Sequence, residues 1–309
     1  MTDSYAYLGP RGTFTEAALL SLEISKTGTL IASATVPQAL ELVRSGQVTG
    51  ALVPIENSVE GSVAATLDDL SHGTSLEIVD EVAIPVTFAL LARPGKTIAD
   101  ITRVATHPHA QAQCAQWLHE NLPHAQVLPA MSTAAAAEGL TADANYDAVI
   151  CSSVAAQHYG LEILLENIGD NESAWTRFIL VRQAGHTNSS TGNDKTTVSL
   201  FIRDDHPGAL LEILTEFAVR GVNLTRIESR PTKKQLGDYF FSIDFEGHIN
   251  DERVGEAMKG LHRICADVKF LGSYARHNTQ GTVVRTTVSD AAFSDADQWL
   301  AHLRISRSN

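Results

Sequence analysis

The chain has 309 residues, of which 44% are hydrophobic and 19% charged, and its formal net charge is −13. That length predicts about two domains of ~150 residues, and the composition excludes a disordered, collagen-like or disulfide-scaffold protein. The acidic balance counts against nucleic acid as a partner and against long-range steering of an anion, so an anionic ligand needs local donors such as helix N-termini.

The opening Met1-Thr2-Asp3-Ser4-Tyr5 is neither basic nor apolar, which predicts no signal peptide, and no apolar run approaches the ~18 residues of a membrane helix. Cys114, Cys151 and Cys265 are widely spaced and odd in number, the pattern of buried free thiols in a reducing, cytoplasmic setting. From Tyr5 onward, strand and helix signals alternate. Tyr5-Ala6-Tyr7-Leu8 reads as a strand, and residues 14–24 as an amphipathic helix whose start is marked by a capping box, Thr13 with Glu16. Residues 50–55 form the next strand, and residues 82–92 a longer β-rich stretch interrupted at Pro85. Strand signals at 104–106, 127–128 and 148–150 then alternate with helix signals at 110–121, 133–142 and 154–159. The alternation predicts an α/β fold with parallel sheets and helices on both faces.

Residues 185–194 are polar and nearly devoid of apolar side chains, and read as a linker. Beyond them come a strand at 196–203, a helix at 208–220, strands at 223–230 and 239–245, a helix at 252–264 and a strand at 268–271. This βαββαβ order is that of a ferredoxin-like module. After Tyr274 a polar tail is expected, loosely ordered, with one short helix near 296–303.

Five stretches carry chemistry. In Gly9-Pro10-Arg11-Gly12-Thr13-Phe14 a strand runs into a glycine turn and a capped helix. Arg11 and the free N–H groups of Gly12 and Thr13 suit a carboxylate or phosphate there, although an ordinary βα turn would use the same glycines. The Glu56, Asn57 and Ser58 cluster follows a buried strand, where α/β sheets place ligands, though Asn and Ser also serve turns. His107-Pro108-His109 lacks a third ligand, so metal binding is not expected; a substrate hydrogen bond from His109 or Gln111 at a helix start fits better. Ser132-Thr133 precedes a helix and reads first as an N-cap. In Trp175-Thr176-Arg177-Phe178, strand alternation puts Thr176 and Phe178 on one face and Arg177 on the other. No GxSxG elbow, HExxH, CxxC or EF-hand loop is present.

Taken in order, these stretches resemble the prephenate dehydratase family. The resemblance runs from Tyr7-Leu8-Gly9-Pro10 and Gly12-Thr13-Phe14-Thr15-Glu16 through Pro54-Ile55-Glu56-Asn57-Ser58 with Glu60-Gly61. It continues with His107-Pro108, Ala110, Gln113-Cys114 and Trp117, then Ser132-Thr133-Ala134, Tyr159-Gly160-Leu161 and Thr176-Arg177-Phe178. The second unit resembles that family's regulatory ACT domain, through Pro207-Gly208-Ala209-Leu210, Gly221-Val222-Asn223-Leu224, Glu228-Ser229-Arg230-Pro231 and Gly272-Ser273-Tyr274. Two departures are Ala275, where many relatives carry Pro, and Ala174-Trp175, where Asn often sits two residues ahead of the Thr.

The resemblance implies a cofactor-free decarboxylating dehydration of prephenate to phenylpyruvate, in phenylalanine biosynthesis, with feedback by phenylalanine. It implies a catalytic domain over residues 1–184 with two periplasmic-binding-protein-like lobes, about 1–85 plus 163–184 and about 86–162. A linker at 185–195, an ACT domain at 196–275 and a tail at 276–309 complete the expected plan, with no chorismate mutase segment ahead of Tyr5. It makes Thr176 the leading catalytic residue, with Glu56, Asn57 and Ser58 facing it. Arg11, Gly12, Thr13, His109, Gln111, Ser132, Thr133, Arg177 and Phe178 are the expected substrate contacts. Gly208, Ala209, Leu210, Asn223, Leu224 and the run from Glu228 through Ser229 and Arg230 to Pro231 are the expected effector contacts. ACT domains pair through their sheets, so a homodimer or homotetramer is expected. Dehydration of arogenate, the aminated substrate, and a non-catalytic sensor remain open alternatives.

Overall fold

The computed structural model describes residues 3–142, 145–171, 173–185, 188–233, 237–277 and 284–305. It divides into two compact units, Met1–Thr66 with Val82–Leu180, and Leu67–Glu81 with Val181–Asn309.

In sequence order, the chain begins β1 (Ser4–Leu8), α1 (Phe14–Leu20), β2 (Thr29–Ser33), α2 (Val36–Arg44), β3 (Gly50–Asn57), β4 (Gly61–Ser62) and α3 (Ala64–His72). It continues through β5 (Leu76–Pro85), β6 (Ala89–Ala92), β7 (Arg103–Thr106), α4 (Pro108–Gln113), α5 (Ala115–Asn121) and β8 (Gln126–Pro129). Last come α6 (Thr133–Thr141), β9 (Ala148–Cys151), α7 (Val154–Tyr159), β10 (Glu162–Leu165) and β11 (Trp175–Gln183). Two sheets result, ordered β2-β1-β3-β11-β5 with β4 on β3, and β10-β6-β9-β7-β8. These are the two lobes.

Both sheets are mixed rather than purely parallel: β4 runs antiparallel to β3, and β6 antiparallel to β9. The β-rich stretch around Pro85 is two strands in two sheets, so the proline marks the crossing between lobes. The return lies later than Ile163, because β10 still pairs with β6. Two helices are shorter than their periodicity predicts. The first stops at Leu20, where Ser21 turns its hydroxyl back onto the Ala18 carbonyl at 2.7 Å. The second breaks at Cys114, where the Asp170 carboxylate caps the backbone N–H groups of Gln116 and Trp117 at 2.9 and 3.1 Å. Thr35 caps α2, accepting from Gln38 N at 3.2 Å.

The second unit contains β12 (Asp194–Phe201), α8 (Ala209–Ala218), β13 (Leu224–Pro231), β14 (Tyr239–Glu246), α9 (Glu252–Ile264) and β15 (Asp267–Ala275). Its sheet, ordered β13-β14-β12-β15, has the ferredoxin-like topology. Strand alternation turns Val198, Leu200, Phe241, Ile243 and Phe245 into an apolar core with Ile213 and Phe217 of α8 and Val254, Ala257 and Leu261 of α9. The alternate residues point the other way, and the segment Leu67–Glu81 covers them. Ser71 and Ser199 share a buried hydrogen bond at 2.7 Å, His72 sits edge-on to Phe201 and Phe240, and Lys195 pairs with buried Glu81 at 2.8 Å. Gly272 has φ +130°, and a Cβ there would strike the backbone of Ile78. Only glycine lets β15 lie so close to β5.

The C-terminal segment is more ordered than its composition predicts. A 16-residue helix, α10, spans Asp290–Ile305, and Asp290 Oδ1 accepts from the first backbone N–H of α9 at 3.0 Å. In the linker, Asp194 folds its carboxylate over Ser190 Oγ, Thr191 N and Gly192 N at 2.8–3.1 Å, so the residues before β12 form a closed turn.

Candidate active site

A cleft of about 300 Å³ opens in the first unit, lined by Phe14, Asn57, Glu60, Val86, Phe88, His107, His109, Ala110, Gln113, Met131, Ser132, Thr133 and Thr176. It gathers side chains from the C-terminal end of β3, the start of β11 and the N-termini of α1, α4 and α6. Ligands in α/β sheets lie at such strand ends. Part of the lining is apolar: Phe14 and Phe88 meet edge to face at 5.5 Å, and Val86 and the 92% exposed Met131 also line the cleft.

Part of the polar lining is built by a turn. Asn57 Oδ1 accepts from the backbone N–H groups of Val59 and Glu60 at 2.8 and 3.0 Å. With its oxygen so engaged, the amide must present its nitrogen to Thr176, and Asn57 Nδ2 donates to Thr176 Oγ1 at 2.8 Å. The threonine oxygen is therefore the acceptor. Its own proton is left to donate into the cleft.

The neighbouring residues have other partners. Ser58 is locked to the backbone of Trp175, donating through its N–H and accepting at its hydroxyl, both at 2.9 Å. Glu56 pairs with Arg177 at 3.2 Å on the face of β11 away from Thr176. Neither Glu56, Ser58 nor Arg177 lines the cleft. Phe178 shares the face of Thr176, but it is 1% exposed and belongs to the core.

The Gly12 turn departs most from its expected role. Glu16 is buried and accepts from Tyr7 OH at 2.9 Å, from the Gly12 N–H, and faces His158 Nε2 at 3.0 Å. Thr13 does cap α1, but the Glu16 side chain reaches Gly12 rather than closing a capping box. Tyr159 OH donates to the Arg11 carbonyl at 2.9 Å, and a Cβ on Gly12 would meet Ala155. Of the donors expected to hold an anion, the Gly12 N–H already serves a carboxylate. The Arg11 carbonyl and Gly12 hold the turn against α7, and Arg11, Gly12 and Thr13 stand outside the cleft lining, as does exposed Gln111.

His109 and the pair Ser132-Thr133 do line the cleft. Ser132 caps α6, accepting from Ala135 N at 2.9 Å. His107 caps α4, its Nδ1 accepting from His109 N at 3.3 Å. Burial and the adjacent His109 hold the His107 pKa below the ordinary value, against the pull of Glu60. Among the described residues no group of three His, Cys, Asp or Glu is placed to hold a metal ion. Phe14, Glu60, Val86, Phe88, His107, Gln113 and Met131 were not among the expected contacts. Each adjoins a motif or the Pro85 crossing, which was the available signal.

In the second unit, Ala209 borders a separate cavity of about 260 Å³ with Arg203, His206, Glu212 and Arg263. Gly208 has φ +100°, the conformation that favours glycine, where it starts α8. Leu210 is partly exposed, Asn223 exposed, and residues 224 and 228–231 lie along the edge strand β13. Arg230 makes a two-pronged bond to Asp68 at 3.1 and 3.2 Å.

A prephenate dehydratase family model matches residues 5–186 and an ACT domain model residues 196–263. A prephenate dehydratase of Mycolicibacterium gilvum is 44% identical over 98% of each chain. The crystal structure of a prephenate dehydratase from Arthrobacter aurescens in complex with L-Phe is 53% identical, covers 97% of this chain and 99% of its own, and superposes with TM-score 0.92. A solved structure described as a novel type of quorum-quenching acylase is 30% identical, over 88% and 97% of the two chains, with TM-score 0.78. With its full length matched and its cleft built from the motif residues, the chain belongs to the prephenate dehydratase family.

Proposed function

We propose that the cleft converts prephenate to phenylpyruvate, with Thr176 as the group that touches the leaving hydroxyl. The C1–carboxylate bond breaks and leaves its electron pair to the ring; the C4–O bond breaks and hydroxide departs, taking up a proton to become water. Aromatisation drives the reaction, so the protein has to orient the dianion and help hydroxide leave. The observation that carries this role is the fixed amide of Asn57, which makes Thr176 Oγ1 an acceptor and leaves its O–H free to donate. A positioned donor of this kind contributes about 100- to 10,000-fold. The apolar wall of Phe14, Val86, Phe88 and Met131 suits the ring, and Ser132-Thr133 at the start of α6 suits a carboxylate.

The ACT domain acts as the phenylalanine sensor, in a homodimer or homotetramer. The expected effector contacts fall in two groups, the Gly208–Leu210 loop and the edge strand β13, and pairing of two copies through their sheets would complete the site. The three buried free cysteines fit a reducing cytoplasm, and burial pushes the Cys114 and Cys151 thiols up to about 12. No helix among the described residues is long and apolar enough to cross a membrane.

The test is phenylpyruvate formation from prephenate, with and without phenylalanine, beside an arogenate control. Turnover suppressed by phenylalanine is the expected result. Saturable prephenate binding without product would overturn the catalytic reading.

A further inference from the structure

Three cleft-lining residues carry ionisable side chains: Glu60, His107 and His109. Glu60 is fixed by the same Asn57 turn that orients Thr176, through its backbone N–H. Also in the lining, His109 on α4 brings Nδ1 to 3.4 Å from Glu60 Oε2, and the His107 ring stands edge-on to His109 with centroids 4.9 Å apart. Nearby, Arg177 pairs with Glu56, and His158 Nε2 lies 3.0 Å from Glu16. A carboxylate in the wall is an odd neighbour for a substrate that carries two carboxylates of its own. It would be a natural partner for an α-ammonium.

We infer that the Glu60–His109 pair sets the preference of the cleft between the α-keto dianion and its α-amino counterpart. The inference rests on the dehydratase reading and adds a specificity determinant to it. The two substrates share ring, hydroxyl and ring carboxylate, and differ where one has a carbonyl and the other a protonated amine. With His109 Nδ1 held at 3.4 Å, the Glu60 carboxylate is screened by the ring and the dianion is tolerated. With His109 removed, Glu60 repels the dianion and offers the ammonium an ion pair. The effect is electrostatic and acts on binding, so it belongs in KM rather than kcat, and it weakens as salt rises.

The experiment measures kcat and KM for prephenate and arogenate in the unmodified full chain and in His109→Gln, Glu60→Gln and the double variant. For His109→Gln we expect the prephenate-to-arogenate ratio of kcat/KM to fall about two- to fivefold, the scale of one solvent-exposed charged contact. Glu60→Gln moves the ratio the other way. In the Glu60→Gln background, adding His109→Gln then changes it little, because His109 acts through Glu60. An equal shift from His109→Gln with and without Glu60 overturns the inference, as does a ratio indifferent to both variants. If the unmodified chain makes product from neither substrate, the dehydratase reading falls and the inference with it; turnover with an unmoved ratio sinks the inference alone.

Discussion

Two buried threonines, one in each unit, show how the same side chain is committed to different ends. Thr197, 0% exposed in β12, bonds both Asp244 Oδ1 at 2.9 Å and Tyr274 OH at 2.7 Å, and Asp244 in turn holds Arg226 at 2.8 Å. Thr196, on the opposite face of the strand, bonds Ser273 and the Gly247 carbonyl, so both hydroxyls are committed to the fold. Thr176 is almost as buried, at 8%, yet its oxygen receives a hydrogen bond from Asn57 and its side chain lines a cleft. A hydroxyl whose capacity is filled stabilises the fold. One held in place but left with a donor to give is arranged for a ligand.

The difference is broken most directly by deleting each hydroxyl network. Thr176→Ala is expected to lower kcat about 100- to 10,000-fold while the far-ultraviolet spectrum and the unfolding midpoint stay put. A near-normal rate would remove Thr176 from the mechanism. Arg226→Ala should do the reverse. It strands the Asp244 carboxylate, 0% exposed, and is expected to cost about 3–5 kcal/mol in denaturant unfolding, with prephenate turnover retained below the transition. If stability is unchanged, the network of the second unit is decorative rather than structural.

Asn57→Asp sharpens the contrast at smaller amplitude. The aspartate keeps an oxygen for Val59 N and Glu60 N, so the turn survives, but it presents an acceptor where the amide was a donor. The Thr176 proton is then drawn to it and away from substrate. We expect kcat to fall about tenfold or more, the scale set by one hydrogen bond to a charged group. The double variant with Thr176→Ala should be no slower than Thr176→Ala by itself, since both remove the same proton donor.

Much of this was legible in the chain. The strand and helix alternation, the βαββαβ order and the face shared by Thr176 and Phe178 all follow from local periodicity. Other features depend on partners distant in sequence. Leu67–Glu81 reads as part of the first unit, yet its Ser71, His72 and Glu81 find their bonds on β12 and β14. The Gly12 turn looks like an anion site because the spacing from Thr13 to Glu16 says nothing about which backbone N–H the carboxylate will reach. The α10 helix was underestimated because Asp290 at its start is anchored to Glu252 of α9, 38 residues away.

The smallest effect concerns the cap that shapes the cleft's other wall. His107 Nδ1 must be unprotonated to accept from His109 N, and burial with the adjacent His109 depresses its pKa in the folded chain, Glu60 opposing. A histidine with a depressed folded pKa binds its proton more readily when unfolded. The unfolded chain therefore carries more protons in the window between the folded value and the ordinary value near ~6.5, and stability rises with pH across that window. Stability from this group is present above the unfolded pKa and is lost as pH falls through the folded one. His107→Asn retains a capping oxygen without a titrating ring. Comparing unfolding midpoints of the two proteins from pH 8 down to pH 5, we expect the variant to lose less stability below neutrality. Parallel curves would mean that His107 keeps its cap by some contact other than the ring nitrogen, and the wall containing His109 would then be held as firmly in acid as at neutral pH.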